Sequence, residues 1–164
     1  MPADQGSLRA PFSLAERRTW TLHVDAGASP NPGRMALGAH LSAPDGQTFS
    51  LSRILPGTGC NNEAEIRAVI EALRWAMTLG AQAPLIYTDS RIVVDHATSD
   101  SAAPPARLQP IFEQLEQALR ESVGSTLWWI PRHRNGLADA LAREALGLPP
   151  KVCAVPQGAR RKRR

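Results

Sequence analysis

"LIYTDSRI", residues 85–92, is a short apolar run that ends in an acid and then opens a helix. Its length and its Ile-Tyr content read as a strand over 84–89, with a helix starting near Ser90 and carrying Ile92, Val93 and His96. A carboxylate at the tip of a buried strand costs free energy unless something pairs with it. The stretch also decides the fold. It marks where strand-after-strand gives way to strands alternating with helices.

Upstream, "TWTLHVD" (19–25) alternates, with Trp20, Leu22 and Val24 facing one way and Thr21, His23 and Asp25 the other. "AGASPNPG" (26–33) reads as a turn-rich loop. Residues 36–43 and 47–54 are two strand-like runs around "PDGQ", and the Asp45-Gly46 pair signals a hairpin. The first three strands therefore form an antiparallel meander. Ile66, Val69, Ile70, Leu73 and Met77 then recur at helical spacing, with Asn61 or Asn62 able to cap the start and Gly80 the end.

Downstream, "SDSAAPPAR" (99–107) is a loop. Leu108, Ile111, Phe112, Leu115, Leu119 and Val123 make another amphipathic helix. "STLWWIP" (125–131) is the last strand, and at least one of Trp128 and Trp129 is expected in the core. The final helix, 135–146, shows Leu137, Leu141, Ala145 and Leu146 as its apolar stripe. The order β-β-β-α-β-α-α-β-α implies an α/β fold with a mixed sheet. The strands at 19–25, 84–89 and 125–131 would be parallel neighbours. Ligands in such sheets sit beyond the carboxyl ends of the parallel strands.

Four acids approach that edge. Asp25 and Asp89 end two parallel strands, Glu65 lies four residues before the apolar Val69, and Asp139 lies between Leu137 and Leu141. Each alone has a plain structural explanation: a cap, a helix-dipole partner, a half-exposed acid. Together, carboxylates without matching Lys or Arg repel one another unless a cation lies between them. Hard oxygen ligands suit Mg²⁺ or Mn²⁺, and two such ions ~3.5–4 Å apart support in-line phosphodiester hydrolysis.

The chain has 164 residues, 43% of them apolar and 21% charged, which fits one soluble domain with a sizeable core. No apolar run reaches the roughly 20 residues of a membrane span, and no secretory h-region opens the chain. Cys60 and Cys153 have no metal-ligand spacing, so a reducing, cytoplasmic setting is expected. The net charge of +4 is unevenly spread: residues 148–164 hold six bases and no acid, and residues 20–147 carry a net −3. The expected organisation is a flexible lead-in over 1–18, one domain over 19–147, and a basic, disordered tail over 148–164. Its "ARRKRR" suits phosphate attraction or a localisation signal as well as a solvated terminus.

"VDAGASPNPG", "LGAHL", "NNEAEIRAVIEAL", "IYTDS" and "RHRNGLADALA", in that order, resemble the type 1 ribonuclease H family over about residues 20–146. The resemblance implies a ribonuclease H-like, five-stranded mixed sheet flanked by helices. It implies that Asp25, Glu65, Asp89 and Asp139 bind two Mg²⁺ ions, with Mn²⁺ as a substitute. By carry-over Asp25 would bridge both ions and Asp139 would complete the site of the ion that activates water. Glu65 and Asp89 would serve the ion that stabilises the leaving 3′ oxygen. The reaction would cut the RNA strand of an RNA–DNA hybrid, leaving 5′-phosphate and 3′-hydroxyl ends, and a monomer is expected. Asn31, Asn61 and Asn62 match positions near the hybrid's minor groove, where the 2′-hydroxyl distinguishes RNA.

Two departures bear on this. His133 stands only six residues before Asp139, as in the short-loop branch of the family, so it is open to a proton-transfer role or to a solvent or phosphate contact. Arg132 and Arg134 suit phosphates. Residues 97–107 hold one base and no aromatic where some members carry a basic protrusion. Two alternatives therefore stand beside an active enzyme: a non-catalytic nucleic-acid-binding module of the same fold, and a related 3′–5′ exonuclease.

Overall fold

The computed structural model describes residues 19–97 and 103–151. The expected lead-in over 1–18, Cys153 and the run "ARRKRR" lie outside them. β1 (Thr21–Ser29), β2 (Gly33–Ser42) and β3 (Thr48–Gly59) form the antiparallel meander. α1 (Asn61–Thr78) leads to β4 (Leu85–Thr88), α2 (Arg91–Ala97) and α3 (Gln109–Glu121), and β5 (Thr126–Trp129) and α4 (Gly136–Ala145) follow. The sheet order is β3-β2-β1-β4-β5, with β4 parallel to both β1 and β5. The mixed five-stranded sheet is the one expected.

One face of the sheet packs on α1, which in turn packs on α3. Leu22, Val24 and Ile86 from the sheet meet Ile66, Val69 and Leu73 from α1 and Leu115 from α3, all fully buried. Burying each such side chain contributes roughly 1.5–3 kcal/mol. Met77, placed in the stripe by its spacing, is 37% exposed, and Ala76 is the last fully buried residue of the helix. Gly80 closes that helix at φ +90°, a conformation open to glycine at little cost. Val123 lies beyond α3 and is exposed, so it is not part of that helix's apolar face.

The other face carries α4, and here the expected stripe is corrected. Ala138, Ala142 and Leu146 are buried, whereas Leu137 is 64% exposed. The reason is close approach. Gly38 of β2 lies so near α4 that a Cβ there would collide with the backbone of Ala138 and Ala142. Only small helix residues fit that contact. No helix among the described residues is long and apolar enough to cross a membrane.

Candidate active site

β1 does not end at Asp25. It runs on to Ser29, paired with β2 from Asp25↔Gly38 to Ser29↔Arg34. The residues read as a loop, 26–29, are strand because β2 supplies partners for them. Only the parallel ladder stops, at Val24↔Thr88. Asp25 and Asp89 each follow that last rung, so they stand side by side where β1 and β4 part. Asp25 is 6% exposed. α1 packs on β1 and brings Glu65 from its second turn, and one oxygen each from Asp25, Glu65 and Asp89 lie within 4.8 Å of one another.

Asp139, in the first turn of α4, completes the group by adding its charge beside Asp25 and Asp89. It is not free: Lys151 Nζ lies 2.9 Å from its Oδ1. These acids line a cleft of about 640 Å³ together with Asn61, Asn62, Arg91, Arg132 and Lys151. Glu65 Oε2 and Asp89 Oδ2 are buried with no hydrogen-bond partner. Buried oxygens left without a partner, in an all-carboxylate donor set, fit a hard divalent cation.

Electrostatics agree with the packing. Burial, then the charge of Asp89, pushes Asp25 up to about 7. Burial, then the charges of Asp25 and Asp89, pushes Glu65 well above the carboxylate range. Burial also raises Asp89, against the opposing pull of Arg132, Asn135 and Lys151. A low-dielectric site holding several acids disfavours their ionised forms, and a bound cation reverses that.

Several supports were not expected from the sequence. Asn135 is 1% exposed, and its Nδ2 donates to Val24 O at 2.8 Å. Its own carbonyl accepts the Asp139 N–H at 3.0 Å, so one residue ties the start of α4 to β1 beside Asp25. As the first residue of the final helix expected from the sequence, Asn135 gives no local sign of this. The tryptophans are corrected as well. Trp128 and Trp129 are 53% and 37% exposed, and neither is in the core, because β5 is an edge strand. Trp129 Nε1 donates to the Asp89 carbonyl at 3.1 Å, and the Arg91 guanidinium lies 3.7 Å from the centre of its ring. Thr88 Oγ1 accepts the Ser90 N–H at 3.1 Å, which fixes the turn that carries Asp89.

The asparagines do not cap α1 with their side chains. Cys60 occupies the cap position without a side-chain hydrogen bond. Instead Asn61 Oδ1 accepts the Ala28 N–H at 2.9 Å, and Asn31 Oδ1 accepts the Asn61 N–H at 3.0 Å. These two bonds clip the end of β1 and the turn after it to the start of α1. Asn61 and Asn62 line the cleft. His133 lies in the 3-10 turn Arg132–Arg134 and is exposed, and of that turn's residues Arg132 lines the cleft.

Residues 23–145 match the family described as reverse transcriptase-like. A bifunctional protein of Mycobacterium tuberculosis is 30% identical over 126 residues, a match that covers 76% of this chain and 35% of that protein. The chain thus spans about a third of the length of that relative. The ribonuclease H1 of the archaeon Halobacterium salinarum superposes with a TM-score of 0.72 at 28% identity, covering 79% of this chain and 98% of the other. A ribonuclease H1 from compost, solved with an RNA/DNA hybrid, superposes at 0.70 with 26% identity, over 79% of this chain and 97% of the other.

Proposed function

The chain belongs to the reverse transcriptase-like family of ribonuclease H domains, and from that footing we propose that it is a metal-dependent endonuclease that hydrolyses the RNA strand of RNA–DNA hybrids. The observation that carries the reading is the convergence of Asp25, Glu65 and Asp89 within 4.8 Å, with Asp139 beside them. The hybrid bound by the compost ribonuclease H1 supports the substrate class.

In this reading Asp25, Glu65, Asp89 and Asp139 hold two divalent cations, Mg²⁺ or Mn²⁺. When bound, the ions supply Lewis-acid activation of water and stabilisation of the leaving 3′ oxygen, so the products carry 5′-phosphate and 3′-hydroxyl ends. The protein's own part is placement. Asn135 holds α4 against β1 and so fixes Asp139 relative to Asp25. Trp129 and Thr88 hold the main chain at Asp89. Asn61 and Asn31 use their carbonyls on backbone amides, so what their side chains offer a ligand is NH₂ donors. Those complement the acceptor lone pairs of a 2′-hydroxyl in the minor groove. Arg132 faces phosphate, and His133 stands outside the reacting group.

The proposed catalytic unit is residues 19–147, working as a monomer in a cytoplasmic setting, with the basic C-terminal run adding salt-sensitive attraction to the hybrid backbone. The test is an internally labelled hybrid set against single-stranded RNA, single-stranded DNA and duplex RNA, with Mg²⁺ or Mn²⁺. Endonucleolytic cuts confined to the hybrid's RNA strand are expected. Binding without cleavage under either metal would make the chain a non-catalytic module, and stepwise shortening from a 3′ end would make it an exonuclease.

A further inference from the structure

After α4 the chain does not leave the domain. The Gly147 N–H bonds Glu144 O at 3.0 Å and the Leu148 N–H bonds Arg143 O at 2.9 Å, which closes the helix and turns the chain back. Arg143 then donates twice to Pro149 O, from Nε at 2.9 Å and from Nη2 at 2.7 Å. Two residues beyond Pro149 stands Lys151, whose ammonium lies 2.9 Å from Asp139 Oδ1. Leu148 and Lys151 line the same cleft as the acids.

The four acids are therefore not equivalent. Glu65 and Asp89 each keep a buried oxygen without a partner. Asp139 already has a cation, supplied by the chain itself, and its side chain is only 20% exposed. We infer that Lys151 is a resident counter-ion that competes with a divalent cation for Asp139, so that full metal loading requires the Lys151–Asp139 pair to open. This deepens the metal-site reading above and rests on it. An ammonium and a divalent cation on one carboxylate repel each other, and one carboxylate cannot fully neutralise both. The cation that needs Asp139 consequently binds more weakly than the one served by Asp25, Glu65 and Asp89. The site fills in two stages, and Lys151 sets the metal concentration at which the second begins.

Mn²⁺ titration calorimetry on the full chain at pH 8 tests this. Wild type is expected to show a tighter and a weaker class. Lys151→Gln tightens the weaker class about threefold to tenfold, since a part-exposed ion pair and its charge repulsion are removed. Lys151→Arg, which keeps the cation, stays near wild type. Arg143→Ala, which releases Pro149 without touching Asp139, shifts the weaker class in the same direction as Lys151→Gln. A weaker class unchanged or further weakened in Lys151→Gln overturns the inference, because Lys151 would then be neutral toward the metal or assist it. Asp25→Asn separates this failure from that of the underlying reading: it abolishes the tighter class if the acids are a metal site. If wild type binds no Mn²⁺ in either class, the metal-site reading fails and this inference with it.

Discussion

Val24 and Asp25 are neighbours on β1, both almost fully buried, and the fold holds them on opposite terms. Val24 faces α1 in a layer that is apolar throughout, where every contact favours the folded chain. Asp25 stands one residue further on, in a cleft where burial and the charge of Asp89 both oppose its ionised form. β4 and the residue after it repeat the contrast, with Ile86 in the core and Asp89 in the cleft. The first region makes the protein stable. The second is tolerated by a fold that could be more stable without it, as expected of a site kept for chemistry.

Substitutions on the two sides should therefore separate activity from stability. The largest effect is expected from Asp89→Asn: hybrid cleavage falls on the order of 10³-fold, the scale seen when a charge-stabilising group is removed. The melting temperature in EDTA should stay level or rise, since the substitution relieves both desolvation and repulsion. A clear loss of metal-free stability would instead give Asp89 a structural duty at the start of α2 and erase the contrast. Leu73→Ala is the mirror image. Leu73 is fully buried, so urea denaturation should show a loss of roughly 2–5 kcal/mol. Cleavage per folded molecule should change less than about twofold. Lost cleavage in a folded Leu73→Ala protein would mean that the core tunes the edge.

The same contrast explains what could be read in the sequence. The α1 face was legible because Ile66, Val69 and Leu73 repeat with the helical period and pack on an apolar sheet. The convergence of the four acids was legible because two of them follow the last rung of the parallel ladder. The docking face of α4 was not, since hydrophobicity favours Leu137 while the approach of Gly38 demands alanine. Nor were the contacts that cross the chain at long separation. Asn135 reaches Val24, Trp129 reaches Asp89, and Lys151 reaches Asp139 from a segment that reads as a basic tail. Such side chains look ordinary locally, and only the fold supplies their partners. The end of β1 was misread for a related reason: Ala-Gly-Ala-Ser before proline reads as loop unless a neighbouring strand is known to pair with it.

The last of the expected effects is also the most direct measure of the strain at the edge. Asp25 has its pKa raised from 3.8 to about 7 in the metal-free fold. Between about pH 4 and 7 the folded protein keeps a proton that the unfolded chain has released. Stability therefore falls as pH rises through that window, by at most about 1.4 kcal/mol per pH unit from this one group. Glu65 and Asp89 are raised too and act with the same sign. His23, tilted against Tyr87 at 5.0 Å between ring centres, acts against them. Its pKa is lowered by burial and then by His40, so below about 6.5 the unfolded chain takes up a proton that the fold resists. That contribution is lost as pH falls. Comparing wild type with Asp25→Asn removes the shared His23 contribution. In urea titrations with EDTA, the stability advantage of Asp25→Asn should grow from pH 4.5 to pH 7 and level off above it. Saturating Mn²⁺ should remove the growth in wild type's deficit, because the ion binds the deprotonated acids and stabilises the fold that holds them. An advantage constant across pH would show that Asp25 is ionised throughout, and the edge of the sheet would then be no more strained than the core beside it.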